Sequence, residues 1–72
     1  ILNRSKVNPG DITEVILGQI LTAGTGPNPA RQAAINAGVP KEVTGWGMNQ
    51  LCGSGLRAVC LGYQAIKAGE SN

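Results

Sequence analysis

The residues best equipped for covalent chemistry lie in one run, Met48-Asn49-Gln50-Leu51-Cys52-Gly53-Ser54-Gly55-Leu56-Arg57. The pattern predicts a short apolar strand running in from Trp46 and a long helix running out to Ala68, with Cys52 on the corner between them. A thiol there sits at the positive end of the helix, beside backbone N–H groups that the helix leaves unpaired. Both features favour the thiolate, which is the reactive form of cysteine. Cys52 is therefore read as a nucleophile, against the plain alternative of a small buried thiol. A helix end alone contributes about 0.3–1 kcal/mol, up to ~2 kcal/mol when partly buried. That falls short of fully ionising an ordinary thiol at neutral pH, so a base or cation must come from elsewhere. The chain itself has no His.

Other candidates are weaker. Cys60 falls in mid-helix, where every N–H is already bonded, and is expected to be a packing residue. Ser54 lacks glycines at both −2 and +2, so it does not fit a serine nucleophile turn. Neither a Walker pattern nor Gly-x-Gly-x-x-Gly is present. Arg57 could meet a phosphate but reads more simply as a solvated or inter-subunit side chain, and Gly24-x-Gly26 as a turn. No His/Cys/Asp/Glu grouping suggests a metal site. Cys52 and Cys60 would stand about 12 Å apart along one helix, too far to bridge. Two unpaired thiols favour a reducing compartment, the cytoplasm.

Several elements must position Cys52. Ile1 to Lys6 reads as the end of a helix, and Val7 to Asp11 as a turn. Glu14 to Leu21 reads as a strand apolar on both faces, as in a covered parallel sheet. Gly18 leaves a bare spot on it where another backbone can approach. After a glycine-containing loop, Asn28 is a good N-cap and Pro29 a good first helical residue. That helix runs through Ala37 and stops at Gly38, and its Ala30, Ala33, Ala34 and Ala37 form a face of small side chains. Val43 to Gln50 is the second strand. Strand, helix, strand makes a right-handed βαβ unit.

The last helix is apolar nearly all round. Leu56, Val59, Tyr63 and Ile66 share one side, which suits ordinary packing on a sheet. Gly55, Ala58, Gly62, Ala65 and Gly69 share another, a ridge that suits close approach by a second layer. On this reading Gly62→Leu should overpack that contact. A helix covered on both sides belongs at the centre of a layered protein.

Composition limits what such a chain can be. Seventy-two residues make one small domain at most, with eleven glycines, no Phe, and only Trp46 and Tyr63 as aromatics. A chain this short buries only about 60% of its extended surface. It is expected to be an excerpt from a larger protein, and unfolded or aggregation-prone alone. Six scattered basic and four acidic residues give a net charge of +2, with no block to hold nucleic acid or an anionic membrane. No apolar run approaches the roughly 18 residues of a membrane span.

The segment Asn49-Gln50-Leu51-Cys52-Gly53-Ser54-Gly55-Leu56-Arg57-Ala58 resembles the nucleophile segment of thiolases. Glu14-Val15-Ile16-Leu17-Gly18-Gln19, Thr22-Ala23-Gly24 and Asn28-Pro29-Ala30-Arg31-Gln32-Ala33-Ala34 resemble the same family in the same order and spacing. The Asn-Pro-Ala-Arg-Gln form is similar to biosynthetic-type acetyl-CoA acetyltransferases. The resemblance implies an α/β chain, residues 1–72 being an incomplete part of the N-terminal domain of an α-β-α-β-α layered subunit. It implies that Cys52 takes an acyl group from a coenzyme A thioester, its own backbone N–H being one oxyanion donor. A second acetyl-CoA then condenses to give acetoacetyl-CoA. Coenzyme A thioesters would be substrates, with no permanently bound cofactor, and the full-length enzyme would be a homotetramer. The family's histidines and second cysteine are expected outside these 72 residues, and Cys60 does not stand in that cysteine's motif position. The alternatives are another condensing enzyme of the superfamily, such as a ketoacyl synthase, and a non-catalytic α/β module with an inert Cys52.

Overall fold

A computed structural model describes all of residues 1–72. Its centre is a pair of parallel strands, β1 (Glu14–Gly18) and β2 (Thr44–Met48), paired from Glu14 opposite Thr44 to Gly18 opposite Met48. A four-residue helix, α1 (Leu2–Ser5), and a 3-10 turn at Pro9–Asp11 precede β1. Helix α2 (Pro29–Asn36) joins the strands, and α3 (Ser54–Lys67) follows β2. The expected βαβ unit followed by a long helix is present.

Both strands are shorter than the apolar runs that encode them. The Gln19 N–H still reaches the Met48 carbonyl, at 3.0 Å. Beyond it β1 has no partner strand, because β2 turns away at Asn49. Leu21, expected on the strand, is 90% exposed.

The two helices cover opposite faces of the sheet. Val15 and Leu17 point toward α2, where Ala30 and Ala34 are buried. With α1 they leave an apolar groove of about 430 Å³. Close packing of α2 on β2 depends on Gly45, where an added Cβ would stand 3.4 Å from the Arg31 Cα.

The first turn of α2 is fastened by its polar side chains. Asn28 is left-handed (φ 46°), and its Oδ1 accepts the Arg31 N–H at 3.1 Å. The Asn28 Nδ2 donates to the Gly45 carbonyl of β2 at 2.9 Å. The Arg31 guanidinium donates to the carbonyls of Lys41 and Val43, at 2.9 and 3.3 Å. Gln32 Nε2 donates to the carbonyls of Thr25 and Pro27. Apart from the bond to Gly45 in β2, these bonds satisfy carbonyls in segments that have no ladder of their own. At the far end Gly38 (φ 96°) closes the helix, with Val39 N–H on the Ala34 carbonyl and Gly38 N–H on that of Ile35.

Helix α3 packs the other way round from the sequence expectation. Its buried and half-buried residues are Ser54, Ala58, Leu61, Gly62 and Ala65, one stripe that faces the sheet. Leu56, Val59, Tyr63 and Ile66 point away from it and are 56–73% exposed. The reason lies in β1. Gly18 has no side chain, and the start of α3 enters that gap. An added Cβ there would lie 2.6 Å from Gly55 N and from the Ser54 carbonyl carbon. A helix held this close to a sheet turns mainly small residues toward it, with Leu61 the one large side chain in the stripe, so the bulky stripe faces outward.

Two further expectations are corrected. Gly69 (φ 79°) ends the helix instead of extending the ridge, with Glu70 N–H on the Ala65 carbonyl and Gly69 N–H on that of Ile66. Cys60 is exposed and packs no core. Nothing within these residues lies within 4 Å of a Cβ added at Gly62, so a contact overpacked by Gly62→Leu would have to come from the rest of the protein.

At the other end of the sheet, Glu14 accepts from Trp46 Nε1 at 2.6 Å and from the Ser71 hydroxyl at 2.8 Å. The Asn72 N–H donates to Thr13 Oγ1 at 3.1 Å.

The close contact at Gly18 gives a direct test. Gly18→Ala should destabilise the full-length protein by about 1–3 kcal/mol, because the obstructing atoms are backbone and cannot rotate away. Denaturant unfolding of the two proteins measures it, and an unchanged midpoint would show that α3 does not sit this close.

Candidate functional site

Between the end of β2 at Met48 and the start of α3 at Ser54 the chain makes one tight turn, and Cys52 is on it. Leu51, the residue before Cys52, has φ 48°, a left-handed conformation unusual for a residue with a bulky side chain. Such a residue costs about 1–3 kcal/mol and persists only where its surroundings hold it.

Leu51 is held at both ends. Its N–H donates to Asn49 Oδ1 at 3.0 Å. Its carbonyl accepts the Ser54 hydroxyl at 2.7 Å and the Ser54 N–H at 3.1 Å. Both side chains also tie the turn to the exit of β1. Asn49 Nδ2 donates to the Ile20 carbonyl at 3.1 Å, and the Gln19 carbonyl lies 3.2 Å from Ser54 Oγ. Ser54 Oγ further accepts the Gln50 N–H at 2.8 Å. Ser54 is 4% exposed, and its hydroxyl has a partner in every direction that the turn offers.

The outcome for Cys52 is specific. Its side chain is exposed, one residue before the helix N-cap Gly53. The N–H groups of Cys52, Gly55 and Leu56 donate to no other group of the chain, whereas Gly53 and Ser54 N–H turn inward to Gln50 and Leu51. Cys52 therefore stands at the start of α3 with its own amide unbonded, a donor that can meet an oxyanion. The surface beside it is a cleft of about 510 Å³ between the exits of the strands, lined by Gly18 to Leu21, Leu51, Cys52, Ser54 and Gly55. The carboxyl edge of a parallel sheet is where α/β proteins bind ligands.

The sequence places Cys52 on this corner, and the structure finds it there. Cys60 is eight residues along α3 and takes no part, and Arg57 is exposed on the helix. What sequence reasoning missed is Ser54, weighed there only as a nucleophile. Its hydroxyl points into the protein instead. The available sign was a small polar residue at the first position of a buried helix, opposite Gly18. No three His, Cys, Asp or Glu side chains come together to hold a metal ion.

The structure thus presents a helix held against a glycine of a parallel βαβ unit, with an exposed cysteine on the strand-to-helix turn. The chain belongs to the thiolase family: the model of the thiolase N-terminal domain matches residues 1–72. It is 64% identical over 72 residues to an acetyl-CoA acetyltransferase of Shinella zoogloeoides, covering all of this chain and 18% of that protein. It is 52% identical over 71 residues to the cytosolic acetyl-CoA acetyltransferase of Rattus norvegicus, again covering 18% of it. Among solved structures it superposes on the Acat5 thiolase of Ascaris suum in complex with coenzyme A, with a TM-score of 0.93 and 37% identity. That match covers 97% of this chain and 18% of the other. Human mitochondrial 3-ketoacyl-CoA thiolase, also in complex with coenzyme A, gives a TM-score of 0.90 at 34% identity, with the same coverage. The chain thus spans about a fifth of the length of its relatives. Those relatives include cytosolic and mitochondrial proteins. No helix is long and apolar enough to cross a membrane.

The strain at position 51 can be measured. Leu51 is 66% exposed, so its replacement loses little burial. In the full-length protein Leu51→Val should be less stable than Leu51→Gly by about 1–2 kcal/mol, since a β-branched residue tolerates left-handed backbone worst and glycine best. Equal unfolding midpoints for the two would show that the turn is not left-handed there.

Proposed function

We propose that Cys52 is the acyl-accepting nucleophile of an acetyl-CoA acetyltransferase, and that residues 1–72 are the part of its N-terminal domain that builds the nucleophile turn. The observation that carries this reading is the exposed Cys52, beside its unbonded N–H, in a cleft at the carboxyl edge of the strands.

The chemistry follows from that placement. The Cys52 thiolate attacks the carbonyl carbon of acetyl-CoA. The carbonyl oxygen becomes an oxyanion, and the Cys52 N–H is aligned to donate to it. The bond from carbon to the coenzyme A sulfur breaks, coenzyme A leaves and takes up a proton, and the acetyl group stays on Sγ. A base then removes a proton from the methyl group of a second acetyl-CoA. The resulting carbanion attacks the acetyl carbonyl, the bond to Cys52 breaks, and acetoacetyl-CoA forms as the thiolate returns. The reverse direction cleaves acetoacetyl-CoA with coenzyme A. The thiolase resemblance implies that this base is a histidine, and none of these 72 residues is one. Alone, the 72 residues are expected to be inactive.

The nucleotide part of coenzyme A is assigned to no residue of this chain. The wider reading places the full-length protein in the cytoplasm as a homotetramer, supported by two unpaired cysteines and an outward apolar stripe on α3.

Mixing the full-length protein with acetyl-CoA should put one acetyl group on the peptide that contains Cys52, read by mass spectrometry. Cys52→Ser should abolish turnover, because a hydroxyl is far less ionised than a thiol at neutral pH. Cys60→Ala should leave turnover per folded enzyme unchanged. Acetyl found on Cys60, or turnover surviving Cys52→Ser, would overturn the assignment.

A further inference from the structure

Ser54 has a hydroxyl that is nearly inaccessible and yet lies one residue beyond the N-cap that follows the nucleophile. An ordinary N-cap side chain accepts from its own helix. Ser54 instead points backward, accepting from Gln50 N–H and donating to the Leu51 carbonyl, with the Gln19 carbonyl as its second acceptor. It therefore grips the two residues before Cys52 and anchors them to the exit of β1. Asn49 holds the Leu51 N–H, but Ser54 alone reaches the Leu51 carbonyl with a side chain. The peptide between Leu51 and Cys52 contains both that carbonyl and the free Cys52 N–H. Fixing the carbonyl fixes the plane of this peptide, because the amide is rigid. The direction of the N–H follows from it.

We propose that Ser54 is a positioning residue for acyl transfer, setting the orientation of the Leu51–Cys52 peptide through its hydroxyl and so aiming the Cys52 N–H and Sγ into the cleft. This rests on Cys52 being the acyl acceptor. Without the hydroxyl, the Leu51 carbonyl keeps only the Ser54 N–H bond, and the strained φ of Leu51 has less to hold it. The peptide can then rock. A misaligned oxyanion donor slows the step in which the oxyanion forms, and a displacement on the order of 1 Å costs about 100-fold.

The test uses the full-length protein and a single turnover with acetyl-CoA, with acetyl on Cys52 quantified over time by quenched-flow mass spectrometry. Ser54→Ala should lower the acylation rate constant about 10- to 100-fold while the amplitude, counted per folded protein, and the affinity for free coenzyme A stay near those of the unsubstituted protein. A merely structural serine gives the opposite result, a smaller amplitude with an unchanged rate constant, and that result overturns the proposal. Because Leu51 is strained, removing the hydroxyl also weakens folding, so a second pair is compared: Leu51→Gly with and without Ser54→Ala. Glycine relieves the strain, and the same slowing is expected between these two chains. Equal rate constants within that pair also overturn the proposal. If the unsubstituted protein takes no acetyl on Cys52, the nucleophile assignment fails first, and the positioning role goes with it. If it acylates normally and Ser54→Ala acylates equally fast, only the positioning role fails.

Discussion

Everything around Cys52 depends on how closely α3 sits on β1. At Gly18 the separation is below what any side chain allows. That contact fixes which residues of α3 can face the sheet, and it lets the hydroxyl of Ser54 reach the Gln19 carbonyl one residue further on. It also brings the exit of β1 and the turn that carries Cys52 side by side, so one cleft contains both. A larger residue at position 18 would lift the helix and, with it, the anchor of the turn. The same economy recurs on the other face, where Gly45 lets α2 lie close enough for Asn28 and Arg31 to reach carbonyls around β2.

Polar side chains in this chain serve mainly to satisfy backbone. Asn28, Arg31, Gln32, Asn49 and Ser54 all bond main-chain groups in other segments. With a sheet of only two strands, few carbonyls find ladder partners, and each one left unpaired in a covered position would cost about 1–3 kcal/mol. The Asn-Pro-Ala-Arg-Gln segment thereby has a physical role. It caps α2 and clamps the loop before it and the approach to β2.

The order of elements was legible because local signals set it. Asn28 and Pro29 start α2, Gly38 stops it, and apolar runs bracket both strands. The corner position of Cys52 followed from the same signals. Strand lengths were not legible, since β1 ends where β2 stops offering partners and not where its apolar residues stop. The orientation of α3 was read in reverse. A helical wheel separates the small stripe from the bulky one but does not say which meets the sheet. The deciding residue, Gly18, lies in another element, and its bare surface alone does not say which helix fills it. The anchoring role of Ser54 is not legible in the sequence because its partners are carbonyls and an amide of residues 19, 50 and 51, which the sequence does not place around it.

The two ends of the sheet carry different burdens. At the carboxyl edge lie the strained Leu51, the free amides and the cleft. At the amino edge Glu14 binds Trp46 and Ser71 together, and Thr13 takes the N–H of Asn72. Helix α3, about 21 Å long, is the strut between them. Because one continuous helix joins the two ends, a substitution at Glu14 that frees Ser71 loosens the far end of the element whose near end anchors the turn.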